Sequence, residues 1–261
     1  MTSEKKISGP TDAPRPTLQP PKVHTMGMGH LPLTVLVTGA VSFIFALAFR
    51  LGMAPAIASL VILVLLYGLS ALVPSPKSMN GQTADPAAKT LTTGTRFTIL
   101  RITITSLLGG LAIIPTTGQP DLMLWAMAAL GLLAALLETT DNWLARLTSS
   151  VSRFSERLST MTSSMFSLAL ALLPWQLGLV GTWVLAAGIL GFAESAISAK
   201  GTQGEIAPWQ MWSRLSMRVL LLAVLAPIVP EALRPLFAGL AVAIALAHVV
   251  YTLYQRSSAS K

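Results

Sequence analysis

The sequence predicts an all-α, polytopic membrane protein with eight transmembrane helices, and three observations carry that prediction. Hydrophobic residues make up 53% of the chain, charged residues only 11%, and mean hydropathy is +0.67, a composition suited to lipid rather than water. Eight apolar runs each approach the ~20 residues that a helix needs to cross about 30 Å of hydrocarbon. Period-two alternation is missing from these runs, which argues against a barrel. Helix is then the form that satisfies its own backbone hydrogen bonds in lipid.

Residues 1–30, MTSEKKISGPTDAPRPTLQPPKVHTMGMGH, are rich in proline and polar side chains and cannot bury enough apolar surface to offset the entropy of ordering. They are expected to be a disordered cytoplasmic tail rather than a cleavable signal, because the first apolar run begins near Leu31 and ends in no A-x-A-like site. The expected spans are 31–50, 54–74, 97–115, 121–146, 152–174, 176–198, 211–229 and 233–254. The span at 152–174 is unusual, since its first half, VSRFSERLSTMTSS, is polar. Such a helix is stable only if its polar face looks at protein or a water-filled cavity. A Pro/Gly/Thr-containing cytoplasmic linker at 75–95 divides an N-terminal two-helix unit, 31–74, from a six-helix domain, 96–256.

The basic residues set the orientation. Lys5, Lys6, Arg15 and Lys22 precede the first span, Lys77, Lys89 and Arg96 follow the second, and Arg146, Arg153 and Arg157 flank the turn after the fourth. Lys200, Arg214, Arg256 and Lys261 continue the series on the same side, against Arg50 and Arg234 on the other. The positive-inside rule then places both termini in the cytoplasm, with a bacterial inner membrane as the expected location. The formal charge of +8 forms no continuous basic stripe, so nucleic acid is not an expected partner and anionic headgroups are. The chain has no cysteine, which excludes disulfides, thiolate metal sites and cysteine nucleophiles.

The densest chemistry lies between Glu138 and Met165, ETTDNWLARLTSSVSRFSERLSTMTSSM. On a helix, Glu138 and Asp141 share a face, Ala145 continues it as a small residue, and Arg146 closes it. Two carboxylates so placed suit a divalent cation through hard oxygen ligands, and a metal held there would clamp a pyrophosphate. The same spacing also suits a plain helix end meeting headgroups and water. Ser155, Ser159 and Ser163 form a small-xxx-small ladder that would let a neighbouring helix approach closely.

This stretch resembles the signature of the CDP-alcohol phosphatidyltransferase family, D-x-x-D-G-x-x-A-R followed after eight or nine residues by G-x-x-x-D-x-x-x-D. Here the first part reads Glu138-Thr-Thr-Asp141-Asn142-Trp-Leu-Ala145-Arg146, and after eight residues comes Ser155-Glu-Arg-Leu-Ser159-Thr-Met-Thr-Ser163. The segment VSRFSERLSTM is similar to the family's V-S-x-F-G-x-x-L-D-x-x, and LTTGTRFTILRI resembles its first core helix, with Arg101 at the usual arginine. Similarity covers roughly 96–200, and the helix count extends it to about 255.

The resemblance implies a six-helix core around a cytoplasmic polar cavity, in which signature acids hold two divalent metals against the pyrophosphate of a CDP-linked donor and the last acid activates the acceptor hydroxyl. Carried over by position, Glu138 and Asp141 would be the metal ligands for Mg²⁺ or Mn²⁺, with Ala145 and Arg146 at the donor. Asn142 and Ser155 replace two glycines, and Ser159 and Ser163 replace the last two acids, so the catalytic residue is unassigned. Neutral hydroxyls are weak ligands for hard cations and poor general bases. The expected function is therefore a silent or impaired relative that binds membrane lipid, with CDP-diacylglycerol the candidate, or pairs with an active homologue as a heterodimer, with a homodimer as the other expectation. The alternative is an active transferase of phospholipid biosynthesis moving a phosphatidyl-type group to an alcohol.

Three further features complete the reading. Glu205, in the loop AKGTQGEIAPWQMWSR, would repel an anionic substrate, although Arg214 and Arg218 could still face the cavity. Glu194, in an apolar run, is expected to snorkel or to pair with an arginine. His248, alone on the last span, is expected to pack.

Overall fold

The computed structural model describes residues 31–72, 93–114, 121–148, 153–198 and 208–259; within these, nothing is described of the side chains at 71–72, 93–96, 141–148, 153–157, 195–198, 208–211, 256 and 258–259. The described chain is all helical. Its elements are α1 (Leu31–Ala48), α2 (Ala54–Leu72), α3 (Thr93–Ile113), α4 (Asp121–Thr148), α5 (Arg153–Gln176), α6 (Leu185–Ser198), α7 (Pro208–Leu225) and α8 (Arg234–Ala259), with single 3₁₀ turns at Thr182–Val184 and Glu231–Leu233.

Four segments are long and apolar enough to cross a membrane: Leu31–Ala48, Asp121–Thr140, Leu158–Gln176 and Glu231–Gln255. Shorter apolar helical segments lie at 54–70, 97–113 and 182–194. These features mark an integral membrane protein. The apolar run expected to be helical over 176–198 becomes helical only at Thr182. Gly178 there has a φ of +70°, and the hydrogen bonds Leu179 N–H to Pro174 O and Gly178 N–H to Trp175 O form a Schellman stop that ends α5. The same pair of bonds ends α1, from Leu51 N–H to Ala46 O and from Arg50 N–H to Leu47 O. Arg50, at φ +54°, takes the left-handed position that glycine usually fills.

α3 sits centrally, packing on α1, α2, α4 and α5. α4 also rests on α7, α5 on α6, and α8 on α6 and α7. The main apolar core runs through α3 to α8 and includes Leu108, Met127, Phe166, Leu170, Leu221 and Ala241. A second cluster, with Leu63, Leu66, Tyr67, Ile102 and Leu158, joins the N-terminal pair to α3 and α5. α2 and α3 approach closely at Gly110, where an added Cβ would stand 2.6 Å from Pro55 O and 2.7 Å from Ser59 N. Hydroxyls tie these helices as well: Thr34 Oγ1 to Tyr67 Oη joins α1 to α2, and Thr38 Oγ1 to Thr103 Oγ1 joins α1 to α3, each 3.0 Å. Since lipid tails are as apolar as leucine, small residues and hydroxyl pairs of this kind supply what specificity the helix contacts have.

Candidate functional site

The serine-rich half of α5 survives in apolar surroundings because its hydroxyls are satisfied within the helix. Thr162, Ser163, Ser164 and Ser167 each donate to the carbonyl four residues back, at 2.7–3.1 Å. Their oxygens are then free to accept from other helices. Arg101 of α3, 1% exposed, uses this: its Nη1 donates to Ser159 Oγ at 3.1 Å, and its Nη2 to Ser159 O at 2.9 Å and Ser163 Oγ at 2.6 Å.

Glu138, on α4, is buried, and one of its oxygens, Oε2, meets two guanidiniums. Arg218 Nη1 of α7 lies 2.5 Å away and Arg101 Nη2 of α3 lies 3.5 Å away. Arg218 in turn donates from Nε to Ser167 Oγ and from Nη2 to Ser163 O, both at 3.2 Å, and stacks over the Phe166 ring at 5.3 Å. Removing such charges from water costs several kcal/mol each, and the ion pairs and the serine hydrogen bonds act against that cost.

Beside this cluster lies a second one. Glu194 of α6 binds Arg214 of α7, with Nε 3.1 Å from both carboxylate oxygens and Nη2 on Oε1. His248 of α8 places Nε2 3.0 Å from Glu194 Oε1, while its Nδ1 hydrogen-bonds Ser213 Oγ. Glu194, Ser213, Arg214, Arg218, Ser167 and His248 line a cavity of about 10 Å³. That is room for about one water molecule.

The signature residues divide. Glu138, Ser159 and Ser163 converge on Arg101. Asp141, Asn142, Ala145 and Arg146 lie on the last turns of α4 and Ser155 on the first turn of α5, but their side chains are outside the described residues, as are Lys200 and Glu205. Among the described residues no three His, Asp or Glu side chains converge as a metal-ligand set. Two members of the expected serine ladder also meet a charged side chain. Ser159 and Ser163 accept from an arginine, and close helix approach occurs further along α5, where an added Cβ on Gly188 or Gly191 of α6 would press on Ala171 and Ser167.

Arg218 enters the site as the second partner of Glu138, and His248, expected only to pack, joins a polar cluster. The signal for both was their presence as ionisable groups in apolar helices, where such groups pair with one another. Sequence spacing does not say which pairs form. No family model matches the chain, and no curated protein or solved structure matches it.

Proposed function

We propose that the chain is a divergent, catalytically silent member of the CDP-alcohol phosphatidyltransferase family, keeping the six-helix core over 96–256 to bind lipid or to pair with an active homologue. In this reading all eight helices cross a bacterial inner membrane and both termini are cytoplasmic. The observation that carries it is the clasp on Glu138: one carboxylate oxygen faces Arg101 and Arg218, and the hydroxyls at the positions of two signature acids face Arg101 as well.

Those donors do not fit Mg²⁺ or Mn²⁺. A divalent ion brought to Glu138 would sit against two guanidiniums already on the same oxygen, and like charges at such distances repel strongly in a weakly polar interior. Arginine here supplies the positive charge that a metal pair supplies in the family. Among the described residues, phosphotransfer from a CDP-linked donor then lacks both its electrophilic clamp and its base.

The test is manganese and donor binding by the full chain in lipid nanodiscs. No bound Mn²⁺ by electron paramagnetic resonance, together with metal-independent retention of CDP-diacylglycerol or another lipid, is the expected result. Release of CMP that requires Mg²⁺ and is lost in Asp141→Asn would establish the active alternative instead.

A further inference from the structure

Ser213, His248 and Glu194 stand on three different helices as a hydroxyl, a base and an acid in series. We infer that Ser213 is an activated nucleophile, with His248 its general base and Glu194 the carboxylate that orients the base, built for acyl transfer from a carboxylic ester of a membrane lipid. This is independent of the silent phosphotransferase reading, because none of the three belongs to the α4–α5 signature.

The polarity of the contacts is the required one. With Nε2 of His248 3.0 Å from a carboxylate oxygen, that nitrogen carries the ring proton. In the neutral ring Nδ1 then presents its lone pair to Ser213 Oγ, and the hydroxyl donates. Glu194 is itself fixed by Arg214, whose Nε reaches both of its oxygens. Nucleophile to base and base to orienting acid are the two contacts that define a catalytic triad, whatever the order of its members in sequence. Arg214 and Arg218 line the same cavity and supply positive charge toward an oxyanion.

The surroundings select the substrate class. Leu190, Met217 and Ile244 form an apolar wall, as an acyl chain requires, and Arg214 is the most open charged group, placed to meet a lipid phosphate. The cavity has room for about one water, the size of the second reactant. An ester carbonyl enters by turning the unbranched Met217 side chain aside.

In the reaction, Ser213 Oγ bonds to the ester carbonyl carbon while its proton passes to His248 Nδ1 and the carbonyl electron pair moves to oxygen. Collapse breaks the bond to the alcohol, which leaves with the proton from His248. Water then attacks the acyl-serine, its proton going to His248. Collapse expels the carboxylic acid, and the proton returns to Ser213. The net change is ester plus water to acid plus alcohol.

The experiment uses the full chain in nanodiscs, treated with a fluorophosphonate probe and read by intact mass and peptide mapping. One adduct at Ser213 is expected, absent in Ser213→Ala and formed at least about 100-fold more slowly in His248→Gln. Because the chain has no cysteine, Ser213→Cys carries a single thiol that keeps the site's shape. Its alkylation by iodoacetamide should be at least about tenfold faster than in Ser213→Cys/His248→Gln. Fatty acid release from phosphatidylglycerol vesicles, lost in Ser213→Ala, tests the substrate class. An unlabelled wild-type chain, an adduct elsewhere, or equal thiol reactivity with and without His248 would reduce the trio to a structural tie among α6, α7 and α8. An adduct without fatty acid release would overturn the lipid-ester assignment.

Discussion

Glu138 of α4 and Arg218 of α7 face each other at 2.5 Å, and Arg101 of α3 reaches the same carboxylate oxygen at 3.5 Å. Three helices, α3, α4 and α7, are thus fastened through one oxygen, and α5 joins them by accepting from both arginines.

Removing the shared charge should be costly. Glu138→Gln leaves two buried guanidiniums uncompensated, and a loss of about 3–5 kcal/mol is expected in denaturant unfolding in detergent. A stability unchanged within about 0.5 kcal/mol would show that the carboxylate is solvated and the clasp is not made.

The pairing itself is separable by a double-mutant cycle. Arg218→Met and Glu138→Gln should be non-additive by about 0.5–3 kcal/mol, the double variant being more stable than the sum of the singles implies. Strict additivity would mean that the two side chains do not interact in the membrane.

Restoring the signature tests its register. Asn142→Gly, Ser155→Gly, Ser159→Asp and Ser163→Asp together add two carboxylates beside Arg101, enough to offset the guanidinium charge and leave oxygen ligands over. The quadruple variant should bind Mn²⁺ measurably by electron paramagnetic resonance where the parent chain does not. If it binds none, the resemblance is misaligned.

The N-terminal pair depends on backbone approach at Gly110. Gly110→Ala drives a methyl into Pro55 O and Ser59 N and should cost about 1–3 kcal/mol. Gly239→Ala on α8, with nothing within 4 Å, is the matched control and should be neutral or slightly stabilising. Equal effects at the two sites would mean that α2 does not rest on α3 this closely.

Hydroxyl pairing at the same interface should be weak. Thr38→Val and Thr103→Val should couple by about 0.6 kcal/mol, the average for such bonds between helices in lipid. A coupling of zero would leave Gly110 as the main determinant of docking.

Much of the helix placement was legible because apolar length and the lack of alternation are local properties. The polar first half of α5 was expected to look at protein or a water-filled cavity, and its described residues Ser159 and Ser163 meet Arg101. The start of α6 was not legible, since a hydrophobicity pattern runs through Gly178 without a break while the backbone turns there. Within the site, Glu138 and the two serines were singled out by spacing and resemblance. Arg218 was singled out as able to face the cavity and His248 was expected to pack, but spacing named no partner for either, so what they touch was out of reach.

By itself, then, the sequence determined a helical membrane protein, the positions of most of its helices and the short inventory of charged groups that must find partners inside it. Only the tertiary structure decided the partners: Glu138 with Arg101 and Arg218, Glu194 with Arg214 and His248, Ser213 with His248. The physical reason is that hydrophobic partition acts on each segment alone, whereas an ion pair needs two groups within a few ångströms. That distance is set by which helix faces meet, and here the faces are chosen by small residues such as Gly110 and Gly188 and by the serines of α5.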